Sequence, residues 1–211
     1  MSSKPLTDSN YSSGNREMEH YIASQRQAID SRPQGNSERA RHLYELSCLL
    51  RQHYLAGNGK SYPTEALSVA REAVEVVPDD SPMAAKYSNS LGRLLRSKLD
   101  FEGDTRDLDE AIQAFRQSVN LSKENDESWL QWLTDLGNGI YARHTLTGSQ
   151  PDLEETIELA RRALDDTAED GPEIIDLVIH LIVRLRTQSE RTGSVSASEE
   201  AIIMAQKKKN A

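Results

Sequence analysis

The residues able to carry chemistry are few and scattered. Gly57-Asn58-Gly59-Lys60-Ser61 ends like a phosphate-binding loop, whose backbone N–H groups cradle a phosphate while the lysine neutralises it. That motif needs another glycine where this chain has Tyr54, and a strand ahead of it where the apolar spacing is helical. The segment therefore reads as a loop. The five histidines are His20, His42, His53, His144 and His180. No two stand in the HExxH spacing that puts two ligands on one helix face, and none joins a cluster of acids that would complete a metal site. His180 lies among Leu and Val and reads as a satisfied or groove-facing imidazole. Cys48 has no glycine-rich elbow or paired histidine to activate it, and reads as a small buried hydrophobe. Asp109-Glu110 and Glu154-Glu155 look like acid pairs, but at helix starts such residues complement the dipole from the surface. Asn120-Leu121-Ser122 has the form of a glycosylation site inside a helical pattern and is discounted. Lys207-Lys208-Lys209 reads as a solvated basic tail. No acid, base and nucleophile converge, so the expectation is a non-enzyme without cofactor or metal.

Composition narrows the class. The 211 residues carry a formal net charge of −9, which argues against general binding to nucleic acid or anionic membranes. One cysteine excludes a disulfide framework and suits a reducing compartment. The opening residues lack the apolar stretch of a secretory signal. The most apolar run, 174–183, is broken by Asp176 and His180 and is too short to span a bilayer. Cytoplasm is the expected location, with the nucleus as the alternative. Hydrophobic residues are only 36% and aromatics 5%, lean for a sphere with a deep core.

That leanness is explained by repetition. Glu65-Ala66-Leu67, Glu110-Ala111-Ile112, Glu155-Thr156-Ile157 and Glu200-Ala201-Ile202 follow one another at 45-residue intervals. So do Leu46, Leu91, Leu136 and Leu181, and then Leu50, Leu95, Ile140 and Leu185. Gly103, Gly148 and Gly193 mark one recurring loop. Such self-similarity is the signature of a tandem array, in which each unit buries its apolar face against its neighbours.

Each unit contains two amphipathic patterns. Tyr87, Leu91, Leu94 and Leu95 illustrate the first; Leu108, Ala111, Ile112, Phe115 and Val119 illustrate the second. Asp107 and Asp152 are expected N-caps, Pro82 and Pro172 suit first helical positions, and Gly57, Gly103, Gly148 and Gly193 are expected to end the first helix of each pair. Trp132 is expected in the core and Trp129 exposed at a helix start. Gly137 is expected where its helix meets the partner helix near Ala111 or Thr156. The resulting expectation is an all-α chain of about nine helices, at 16–31, 38–55, 63–77, 82–99, 107–122, 127–144, 152–167, 172–190 and 198–208. Residues 1–15, rich in Ser and Asn, read as a disordered tail.

The columns resemble the tetratricopeptide repeat (TPR): Leu133, Leu136-Gly137 and Ile140 on a first helix, and Ala66, Ala70, Ala73 and Pro78 on a second. The usual TPR period is 34 residues. The longer period here is absorbed by the loop between the two helices and by the connection around Lys123 to Glu127. A long-period variant is more similar still, through Leu133-Thr134-Asp135-Leu136-Gly137-Asn138, Thr147-Gly148 and Asp107-Leu108-Asp109-Glu110-Ala111-Ile112. Arrays of that variant belong to large fungal proteins and often precede a caspase-like CHAT domain, whose protease activity does not carry over to this chain. The resemblance implies an α-solenoid of stacked hairpins as one domain over 16–208, with 209–211 as a basic tail end.

In TPR folds the first helices line a concave groove that receives partner segments. Carried over, the groove columns include Arg41, Tyr44, Glu45 and Arg51, then Lys86, Asn89, Arg93 and Arg96, then Asn138 and Tyr141, then Asp176, Ile179, His180 and Arg186. On an acidic chain, the first two units place five cations against one acid. The implied function is a non-enzymatic scaffold or adaptor that docks an acidic segment of another protein on Arg41, Arg51, Lys86, Arg93 and Arg96. Asn89 and Asn138 would bond the segment's backbone. The rival reading is a spacer within a larger multidomain protein. At the C-terminal end, Ile202 is expected to pack inward and Ile203 to stand alone in solvent. That favours a monomer over an end-to-end dimer.

Overall fold

A computed structural model describes residues 8–33, 37–58, 64–103, 105–122, 128–167, 174–197, 199–200 and 202–203. Gly59-Lys60-Ser61, Lys123 to Glu127, Pro172 and Lys207-Lys208-Lys209 lie outside them. The helices are α1 (Asp8–Asp30), α2 (Ser37–His53), α3 (Thr64–Val76), α4 (Ala84–Glu102), α5 (Leu108–Leu121), α6 (Trp129–Thr147), α7 (Gln150–Asp165) and α8 (Ile174–Thr192). Residues 195–197, 199–200 and 202–203 are helical as well, where the ninth helix is expected. α1 opens at Asp8, ahead of the expected start at residue 16, on a polar Asp8-Ser9-Asn10 stretch that suits a first turn. The chain groups into two compact units, Met1–Asp107 and Leu108–Ala211. The seam follows a 3₁₀ turn, Thr105–Asp107.

In the first unit, neighbouring helices pack in chain order through stripes spaced three and four apart. Leu43, Leu46 and Leu50 of α2 are buried, as are Ala66, Leu67, Ala70 and Ala73 of α3 and Tyr87, Leu91, Leu94 and Leu95 of α4. The alanines of α3 remove side-chain bulk, so helices can approach closely. In the second unit, Leu153, Ile157, Leu181 and Leu185 form one cluster, and Trp129, Leu133, Ala163 and Leu177 another. Trp129 is thus a core residue, not an exposed one: side chains from the later turns of α7 reach it, and the Arg162 guanidinium lies 4.8 Å above its ring.

Helix ends follow local chemistry. Gly103, Gly148 and Gly193 all adopt left-handed backbone, with φ near 70°, and their N–H groups close the last turns of α4, α6 and α8. The corresponding position after α2 is Asn58, and there the helix does not stop at Gly57 but widens into a π-helical turn, Tyr54–Asn58. α7 is capped by Ser149, whose hydroxyl accepts from the Asp152 N–H. Asp152, expected to be that cap, is buried instead and accepts two hydrogen bonds from Arg143, both 2.9 Å. Lys98 and Asp107 make the same pairing one period earlier.

The acids at the starts of α3 and α7 do more than match the dipole. Arg26 grips Glu65 at 2.8 and 2.6 Å, Arg116 grips Glu155 at 2.7 Å, and Arg161 grips Glu200 at 2.9 and 2.7 Å. Each arginine meets a glutamate 39 residues later, so the pairs tie successive second helices together. All are partly solvated and each is worth at most about 1 kcal/mol. Their fork geometry makes them register marks rather than a source of stability.

Candidate partner-binding face

In the first unit, α2 and α4 bring two tyrosines together. The Tyr44 and Tyr87 rings stack with centroids 4.6 Å apart and planes 17° from parallel. The same column spacing that sets Arg41 one turn before Tyr44 sets Lys86 one residue before Tyr87, and the Lys86 ammonium lies 5.3 Å from the Tyr44 ring centre. Burial raises the pKa of both phenols above its ordinary value, Arg93 opposing this at Tyr44 and Arg41 at Tyr87.

The cations differ in how far they are already engaged. Arg41 and Arg93 are exposed, Arg51 is half-buried, and none of these three side chains makes an ion pair or hydrogen bond among the described residues. Lys86 is exposed and engaged only with the tyrosine ring. Arg96 is drawn to Asp100 on its own helix at 3.3 Å. Asn89, expected to reach a partner's backbone, is only 5% exposed, because the face of α4 that carries it turns inward. Cys48 is half-buried rather than core, its sulfur 4.0 Å from the Ser90 hydroxyl.

Asn138 falls in the second unit, and its carbonyl oxygen already accepts from Arg184 Nη2 at 2.8 Å. Tyr141 bonds Thr187 at 3.1 Å, and Arg186 pairs with Glu190 on α8. The residues of this second face are thus largely spoken for by their own neighbours. Ile179 and Val183 of α8 are exposed, as are both Ile202 and Ile203; Ile202 does not pack inward as expected, because no described element covers that side. Sequence reasoning also missed Arg184. It is buried at a position where the earlier units have Leu49, Leu94 and Gly139, and that break in the column was the signal. Among the described residues no three His, Cys, Asp or Glu side chains gather as a metal site, and no helix is long and apolar enough to cross a membrane.

No protein-family model and no curated protein matches the chain. Solved structures do. Similar at 14% identity, over 94% of this chain and 91% of that one, is a single-residue variant of a kinesin light chain-like protein of Podosopora anserina with nearly identical TPR-like repeats, TM-score 0.62. MamA aligns over the full length of both chains at 14% identity and TM-score 0.59. A second structure of the Podosopora anserina repeats gives 13% identity and TM-score 0.59 over 98% of this chain. The chain therefore has an all-α fold of the TPR-like, α-solenoid class.

Proposed function

We propose that the chain is a non-enzymatic interaction module that receives an acidic segment of another protein on the α2–α4 face. The observation that carries this reading is the set of unengaged cations, Arg41, Arg51 and Arg93, with Lys86, on the two helices that also bring together the Tyr44–Tyr87 stack, in a chain whose net charge is −9. Guanidinium groups bind carboxylates through paired N–H donors, and unengaged ones need break no existing bond to do so. The half-buried Tyr44 ring, backed by the buried Tyr87, adds an apolar contact for the segment's backbone or stems. Asn138 is dropped from this docking set, since Arg184 already holds it. The TPR-like class, widely a scaffold for protein contacts, supports a scaffold or adaptor role, and the repeat columns support kinship with the long-period variant. Cytoplasm is the location that fits one free cysteine.

The test is fluorescence anisotropy with a labelled Glu-Ser repeat peptide, alongside affinity capture from lysate. Binding should weaken steeply with salt and be lost in an Arg41→Glu, Arg93→Glu double variant whose helicity is unchanged. Salt-insensitive binding, or binding that survives the double charge reversal, would remove this face from consideration.

A further inference from the structure

Arg184 of α8 is a charge with no counter-charge. It is 4% exposed, yet no carboxylate meets it among the described residues. Among the described residues its one polar contact is the neutral Asn138 carbonyl, Tyr141 lies 5.2 Å beneath its guanidinium, and its buried Nε meets no acceptor. Burial alone holds its pKa down at about 10. A guanidinium removed from water without an anion is costly, and structures normally avoid it or supply a partner. Nor does the fold need an arginine here, since Leu94 fills the same column one pair of units earlier and is fully buried.

The guanidinium lines a small pocket between α6, α7 and α8, together with Gly137, Thr156, Leu159, Leu177 and His180. Gly137 keeps one side of it bare: a methyl group there would sit 3.7 Å from Arg184 Nη2. His180 makes no hydrogen bond among the described residues, so its ring N–H is a second open donor. Apart from Thr134 and Thr156 the remaining walls are apolar, which strengthens a charge-assisted bond.

We propose that Arg184 and His180 form a carboxylate-binding subsite in the second unit, separate from the α2–α4 face. The carboxylate of a small acid, or of a glutamate or aspartate side chain on a bound segment, enters beside Gly137. Its oxygens accept from the guanidinium N–H groups that Asn138 leaves open, while His180 donates from the pocket wall. The anion supplies the counter-charge that none of the described residues gives.

Side-chain 1H–15N NMR tests this on the full chain, because a buried Nε–H exchanges slowly enough to be seen. Sodium acetate is titrated against sodium chloride at equal ionic strength, and N-acetylglutamate N-methylamide is titrated separately. The expected result is a saturable shift of the Arg184 Nε–H with acetate and none with chloride. A response to the glutamate derivative as well assigns side-chain carboxylates, and a response to acetate alone assigns free small acids. Arg184→Met should abolish the response and leave the melting temperature unchanged or higher without acetate. His180→Ala, a milder change should Arg184→Met not fold, should weaken acetate binding several-fold. No saturable response to either probe, a matching shift with chloride, a marked loss of melting temperature in a folded Arg184→Met chain, or unchanged affinity in His180→Ala would overturn the proposal.

Discussion

Two glycines of α6, two residues apart, should respond in opposite directions to substitution. A β-carbon built on Gly139 would lie 3.1 and 3.3 Å from Cδ2 and Cε2 of Phe115 and 3.5 Å from Cγ1 of Ile112. Phe115 and Ile112 are each 2% exposed, so the ring cannot swing into solvent to make room. A β-carbon on Gly137 would meet only Arg184 Nη2 at 3.7 Å and Leu159 Cβ at 3.9 Å, ordinary contacts. The close helix approach expected at Gly137 is therefore at Gly139, against α5. In a helix interior alanine is favoured over glycine by about 1 kcal/mol, a gain that Gly137→Ala keeps. Gly139→Val forfeits most of it to β-branching and adds overpacking of about 1–3 kcal/mol. At roughly 2–4 °C per kcal/mol for a chain of this size, Gly137→Ala should raise the melting temperature by about 2–4 °C. Gly139→Val should lower it by about 2–12 °C on the same scale. Thermal unfolding followed by far-ultraviolet circular dichroism measures both. Equal shifts for the two, or a Gly139→Val chain as stable as the parent, would refute the packing of α6 on α5.

Further outcomes follow from other contacts. Arg93→Glu should weaken the acidic peptide about tenfold, one charge-assisted contact's worth, whereas Arg96→Glu should cost less because Arg96 already pairs with Asp100; equal losses in anisotropy would contradict that ranking. A double-mutant cycle on Arg116→Ala and Glu155→Ala should give a coupling of about 0.2–1 kcal/mol that shrinks with added salt, and a zero coupling would deny the pair any role in register. His42 bonds Gln25 through Nδ1 at 2.7 Å, and burial first, then Arg32 and Arg41, hold its pKa below the ordinary value near 6.5. The unfolded chain therefore takes up this proton first. Stability should be fully present above about pH 6.5 and fall as pH drops through and below that value, less so in His42→Gln; a flat profile between pH 7 and 5 would contradict the burial of the ring.

Much of the fold was legible because a helix stripe is a one-dimensional signal. Leu46, Leu91, Leu136 and Leu181 show their period without any knowledge of what they touch, and all four are buried. The αL ends at Gly103, Gly148 and Gly193 were equally readable, since only glycine adopts that backbone without cost. Reading failed where a residue's fate depends on its three-dimensional neighbour. Asp152 looks like a cap but is buried against Arg143, while Ser149 does the capping. Trp129 looks like a helix-start surface residue until α7 covers it. Glu155 looks like a dipole-matching acid, and its arginine partner, like those of Glu65 and Glu200, is visible only once a spacing of 39 residues acquires a meaning in space.

The same distinction separates the stacking residues from the recognising ones. In an array, whatever recurs in every unit serves the contact that recurs in every unit, namely hairpin on hairpin. The Arg26, Arg116 and Arg161 column is of this kind, and so are the leucines. A residue that breaks its column answers to something local. Tyr44 stands where the next units have Asn89, Thr134 and Ile179, and its ring stacks on Tyr87. Arg184 stands where Leu49, Leu94 and Gly139 precede it, and no carboxylate among the described residues meets its charge. Leucine in that place fills the core at no electrostatic cost, so an arginine there is a burden on the folded chain unless an anion relieves it. Column breaks that cost stability are therefore the positions at which to look for ligands in this protein, and the stability of Arg184→Met without acetate measures that cost directly.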